Sequence, residues 1–244
     1  MIKTSAFLVS LMVSSTIAAS PDMKLYPHFD SNMHQIQDDV WPPVNVAYNF
    51  EVDFSFQIWD PTMQKLIPFA NMNGTQYVDS NGNREKVIVY LQMDKLGMLP
   101  IKQVFDYNTR TMIEHVPTFP KCNKYTIPDE INVGETLKRV FSPKGGVTNF
   151  VGEEQLKWEN GPDYEFKVGK ANPETTPQTL LFGESSLNLE WVQFNDQPYI
   201  LNLGNGILNR TFTDDDFSIP ECKTFVEKEY VRNDGSAHRV KLFF

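Results

Sequence analysis

Residues 44–58 carry the pattern that most constrains what this chain can fold into. Val44, Val46, Tyr48, Phe50, Val52, Phe54, Phe56 and Ile58 are apolar at every second position, with Asn45, Asn49, Glu51, Asp53, Ser55 and Gln57 between them and Ala47 the one exception. Successive side chains of extended backbone point to opposite faces, so this alternation describes a strand with one buried face. At about 3.3 Å per residue the strand would run to about 50 Å, beyond the usual length. It belongs in a large, strongly twisted sheet or a partly closed barrel.

Shorter strand signals follow. Residues 74–79 lead into Asp79-Ser80-Asn81-Gly82-Asn83, where Asn-Gly is a strong hairpin signal. Residues 84–93 return with Val87, Val89, Leu91 and Met93 on one side. Segments 101–107 and 111–116 flank a second turn at Asn108-Thr109-Arg110. Weak helical spacing covers 128–141, and strands are expected at 155–158, 164–168, 188–194, 199–203 and 224–231, with loops at 143–146 and 172–177. Many strands and little helix predict an all-β or β-dominated α+β domain.

Lys3, the apolar run 6–13 and the small residues up to Ser20 have the form of a secretory signal peptide, with cleavage after Ala18 or Ala19. The run is too short to span a bilayer. The expected organisation is a signal peptide at 1–19, a leader at 20–43 with one short helix near 33–39, a β domain at 44–222 and an extension at 223–244. A net charge of −9 argues against nucleic acid or an anionic membrane as main partner. Cys122 and Cys222 are the only cysteines, so an oxidising compartment allows one intrachain bridge. Closing a loop of that length is worth up to about 4–5 kcal/mol in the loop-entropy picture. Asn73-Gly74-Thr75 and Asn209-Arg210-Thr211 are N-glycosylation sequons.

Several landmarks recur in a familiar order. They are Gly74-Thr75-Gln76-Tyr77-Val78-Asp79-Ser80, Arg84 before Val87-Ile88-Val89-Tyr90, Phe105-Asp106-Tyr107, Lys121-Cys122-Asn123-Lys124, Trp191-Val192-Gln193-Phe194-Asn195-Asp196-Gln197-Pro198 and Phe217-Ser218-Ile219-Pro220-Glu221-Cys222. Over 44–222 the series resembles the ependymin-related secreted proteins and the wider eukaryotic LolA-like group. The resemblance implies a large curved antiparallel sheet, an open half-barrel with a few short covering helices, and an apolar cavity for acyl chains. It also implies a Cys122–Cys222 pair and a carrier or sensor that can form a homodimer. Two departures stand out: ependymins usually carry more cysteines, and residues 223–244 form a locally basic extension.

The apolar wall of such a site would be Val46, Tyr48, Phe50, Val52, Phe54, Phe56, Val89, Leu91 and Met93, for a fatty acid, a phospholipid or a similar hydrophobic small molecule. Met98, Leu99 and Met112 could extend it. The plainer alternative is that the same face is ordinary core, in a structural or adhesive protein that works through its surface. Catalysis finds no support. His28, His34, His115 and His238 are scattered away from any serine or cysteine nucleophile motif, and neither a phosphate loop nor a metal helix is present. No cofactor or metal is expected. Asp214-Asp215-Asp216 lacks the spacing of a calcium loop and suits a solvated turn. Trp59, Trp158 and Trp191 are expected to anchor core.

Overall fold

A computed structural model describes residues 41–229 apart from 94–96, 160, 172–176, 195–196 and 205. The signal peptide, the leader up to residue 40 with its short helix, His28, His34, His238 and the chain from 230 onward lie outside the described residues. So does most of the loop expected at 172–177.

Among the described residues thirteen strands form one open sheet. In chain order they are β1 (Asn49–Asp60), β2 (Lys65–Asp79), β3 (Arg84–Met93), β4 (Gly97–Asp106), β5 (Thr111–His115), β6 (Cys122–Thr126), β7 (Thr148–Gln155), β8 (Pro162–Val168), β9 (Gln178–Gly183), β10 (Leu189–Phe194), β11 (Ile200–Asn202), β12 (Leu208–Asn209) and β13 (Phe225–Lys228). Their order is β13-β6-β5-β4-β3-β2-β1-β11-β10-β9-β8-β7, with β12 also on β1. All pairs are antiparallel except β6 with β13. β1 joins the two halves, β2–β6 on one side and β7–β11 on the other.

The hairpin turns are closed by aspartates. Asp79 accepts from the Gly82 amide (3.0 Å) and from Arg84 Nε (2.9 Å). Asp106 accepts from the amides of Asn108 (3.0 Å) and Thr109 (3.1 Å). These carboxylates satisfy turn N–H groups that the ladder leaves over. β1 is shorter than its alternation, because residues 41–48 leave the ladder before Asn49. Trp41, Val44, Val46 and Ala47 still pack on the core. β2 is longer than its signal. A bulge shifts its register against β1 between Ser55 and Gln57, and Ala70 and Asn71 take positive φ (52° and 48°). The bulge resets the period, so the apolar pattern does not run through it.

The main core lies on the inner face. Phe50, Val52, Phe54 and Phe56 of β1 join Val78, Val87, Phe105 and Met112 from one half and Phe166, Leu180, Phe182, Val192 and Phe194 from the other. Only a curved sheet brings both ends into one cluster. Gly74 permits this locally, since a Cβ there would overlap the Phe54 ring that lies across β2. The one α-helix among the described residues, α1 (Val133–Val140), packs into the concavity through Val133, Leu137 and Val140. Its N-cap Asn132 accepts from the Glu135 amide (2.9 Å). Asn83 in the β2–β3 turn donates to Ile131 O (3.0 Å) and accepts from the Val133 amide (2.8 Å), which fixes the helix to the hairpin. Burying each large apolar side chain contributes about 1.5–3 kcal/mol.

The outer face carries two smaller clusters. Leu156, Leu181, Trp191 and Ile200 pack with Trp59, Leu66 and Trp158, so the three tryptophans anchor core as expected. Val104, Phe217 and Ile219 pack with Tyr77, Phe212 and Cys222. There the returning chain is strapped over β1–β4. Arg210 pairs with Glu51 and with Asp216 (2.6 Å), Arg84 with Asp79 (2.9 Å) and Asp214 (2.7 Å), and Lys102 with Glu221 (2.5 Å). The Cys122–Cys222 disulfide closes the strap. Beyond it β13 adds to the sheet beside β6, so the sheet continues past residue 222 into the segment expected to be an extension. No helix among the described residues is long and apolar enough to cross a membrane.

Candidate ligand-binding face

The expected apolar wall divides into three groups. Phe50, Val52, Phe54 and Phe56 are between 0% and 3% exposed and sit inside the main core. Val46, Val89 and Leu91 are half-buried and pack against it. Tyr48 stands apart from the buried column. It is 38% exposed, because it precedes the ladder and escapes the pleat that orients the even-numbered residues of β1. Met93 ends β3, and its side chain lies outside what the structure describes. Of the residues that could extend the wall, Met112 is buried and Met98 is 45% exposed.

Toward the end of the sheet where β1 meets Ile200, the buried column opens into a half-buried aromatic group. Tyr199 contacts Phe56 (ring centroids 4.9 Å) and Phe194 (6.2 Å), and stacks on Phe69 (5.5 Å). Beside it stands Gln178 of β9. Its cross-strand partners Val168 and Phe194 are both core residues, so its side chain shares the inner face with them. Gln178 is 1% exposed, and neither its amide nitrogen nor its amide oxygen has a hydrogen-bond partner. A buried amide without partners costs about 1–3 kcal/mol, so its position calls for an explanation.

The inner face of β2–β6 is not the continuous apolar surface that the alternation suggests. Gln76 donates to Glu85 (3.0 Å), which also accepts from the Tyr107 hydroxyl (2.6 Å). One step along, Glu114 accepts from Gln103 (2.8 Å) and Asn123 (3.0 Å). These residues come from five strands and the β4–β5 turn, and they meet only through the ladder register, which no local pattern encodes.

The sequons fall on exposed positions, but Asn73 lies within β2 rather than in a turn, and Asn209 lies on the short β12. Asp214–Phe217 forms a 3-10 turn in which Asp216 caps Thr213 and accepts from Arg210, while Asp214 pairs with Arg84. Asp214 and Asp215 are exposed, as the expected solvated turn requires, and the ion pairs also staple the turn to the sheet. The Thr213 amide, with Arg210 beside it, holds the Asp216 carboxyl below the usual range. His115 stands on β5, apart from any cysteine thiol, since both cysteines are bridged.

No family model matches the sequence, and no curated protein matches it significantly.

Proposed function

We propose that the chain is a secreted or lumenal binding protein that holds an amphiphilic lipid, a fatty acid or a phospholipid, on the inner face of its sheet without catalysis. The observation that carries this reading is Gln178. An amide with two orphaned polar atoms, set among Val168, Phe194 and their apolar neighbours, suits a ligand with an apolar body and one hydrogen-bonding group. The half-buried residues Phe69, Val89, Leu91 and Tyr199 supply apolar surface packed against the same core. The order of motifs that resembles the ependymin-related, LolA-like proteins supports the same reading, with its half-barrel cavity and homodimer. The signal-peptide pattern, the disulfide and two exposed sequons fit a secretory route.

A second reading, a structural or adhesive protein, is favoured by the complete burial of Phe50 and Val52, which shows that this part of the inner face is filled by the protein's own side chains. Native mass spectrometry separates the two. Protein from a eukaryotic secretory host, purified without detergent, should carry a stoichiometric lipid and report its oligomeric state. Gln178→Leu should weaken lipid binding at least about tenfold without lowering the melting temperature. A clean apo mass together with failure to bind added fatty acids and phospholipids would select the structural reading. Polar substitution at Phe50 tests folding, not binding, because no solvent reaches it.

A further inference from the structure

On the outer face of the other half, three carboxylates converge. Glu159 lies in the loop between β7 and β8, Asp163 on β8, and Glu190 at the bulge of β10. One carboxylate oxygen from each lies within 4.8 Å of the others. Among the described residues none of the three is ion-paired to a lysine or arginine. Asp163 is 2% exposed, and its Oδ2 has no hydrogen-bond partner. We propose that Glu159, Asp163 and Glu190 bind one oxygen-seeking divalent cation. This inference does not rest on the lipid reading.

The surroundings are arranged to hold the carboxylates in place. Trp191 Nε1 donates to Glu159 Oε1, and Ser186 Oγ donates to Glu190 Oε1 (2.5 Å). Gln155 Nε2 donates to the carbonyls of Leu156 (3.2 Å), Glu159 (3.0 Å) and Gly161 (3.2 Å), fixing the loop that delivers Glu159. Partners of this kind orient metal ligands. Gly183 stands directly across the ladder from Asp163, and a Cβ there would overlap Glu190 Oε1 and Ser186 Oγ. The missing side chain is what lets Glu190 reach over β9. Trp158 and Trp191 flank the group with their rings 5.7 Å apart, an apolar wall that strengthens charge interactions.

The chemistry of the donors selects the ion. All are carboxylate oxygens, which suit calcium, magnesium or manganese and not metals that prefer sulfur or imidazole. Calcium–oxygen distances of about 2.3–2.6 Å place ligands on opposite sides of the ion up to about 5 Å apart, in keeping with the observed spread. Without a cation, burial and the neighbouring Glu159 and Glu190 carboxylates push the Asp163 carboxyl up to about 8. Burial also raises Glu159. A bound cation takes the place of the proton that the site otherwise needs.

Isothermal titration of the chelator-treated, full-length mature protein at pH 7.5, with calcium, magnesium and manganese chlorides in turn, tests the site. At least one ion should bind at a stoichiometry of one and shift the intrinsic tryptophan fluorescence through Trp191. Asp163→Asn and, separately, Glu190→Gln should each weaken binding at least about tenfold, whereas Asp215→Asn, on the exposed 3-10 turn, should leave it unchanged. The bound ion should raise the melting temperature of the parent protein and not that of Asp163→Asn. Asp163→Asn removes a buried charge and keeps the shape of the side chain, so it should melt cooperatively in chelator at or above the parent temperature. Absence of binding for all three ions, or binding that survives both Asp163→Asn and Glu190→Gln, would overturn the proposal and leave a proton-sharing cluster.

Discussion

The two halves of the sheet treat buried polar groups differently. In β2–β6, Glu85 accepts from Gln76 and Tyr107, Glu114 accepts from Gln103 and Asn123, and the charges of Glu51, Arg84 and Lys102 are paired across the strap. The exception is His115 Nδ1. In β7–β10, buried side-chain atoms of Thr148, Asp163, Gln178 and Gln193 have no hydrogen-bond partner, whereas Glu165 pairs with Lys167 (3.6 Å). Proteins seldom leave buried polar groups unpaired. The difference teaches that the first half is complete as a structure, while the second half presents its unmet chemistry on both faces, Gln178 inside and Asp163 outside.

Four changes would break or sharpen this contrast. The largest effect belongs to the completed half. Replacing both Cys122 and Cys222 by serine releases the strap and β13 and should cost about 2–5 kcal/mol, read as a lower midpoint in urea. Glu85→Ala should cost about 2–4 kcal/mol in the same assay, because it removes the buried acceptor that the Gln76 amide and the Tyr107 hydroxyl share. If that variant is as stable as the parent, the network contributes nothing and the contrast fails.

The pH response should run in opposite directions in the two regions. Asp216, and Glu221 beside Lys102, have carboxyls held below their ordinary values, so their contribution is present above the unfolded pKa of about 4 and is lost as pH falls further. Asp163 is raised to about 8, so its contribution is complete below about pH 4 and is lost as pH rises toward 8. In chelator, melting temperatures of the parent should therefore decline from pH 5 to 8, and Asp163→Asn should flatten that decline. A profile identical in the two proteins would show that Asp163 ionises normally. The smallest effect on folding is expected for Gln178→Leu, between 0 and about 1 kcal/mol of added stability in the ligand-free protein, since it removes an amide that nothing satisfies.

Much of the fold was legible where one strand carried its own signal. Phe50, Val52, Phe54 and Phe56 stand on the buried face that the alternation requires, and Asp79-Ser80-Asn81-Gly82 turns where a hairpin was expected. β9 was missed because Gln178–Gly183 is buried on both faces, which leaves no period of two to detect. β7 was placed too late, at 155–158, because Trp158 marks the loop that covers the outer cluster and not a strand. The first half of β2 was hidden by Pro68 and the bulge. Neither the Gln178 environment nor the three carboxylates could be found locally, since Glu159, Asp163 and Glu190 meet only once β8, β9 and β10 are in register. The Glu159–Asp163 spacing alone suggests nothing.

The parallel pairing of β13 with β6 also orders events in time. β6 would be the exposed margin of the sheet without β13, and its covering strand follows its cysteine by about as many residues as the disulfide spans, 100. At about 5–20 residues per second of synthesis, that margin waits roughly 5–20 s for its neighbour. Through that interval the nascent chain presents unpaired amides and carbonyls able to template another strand, so the period before residue 228 emerges is when this protein most needs a chaperone.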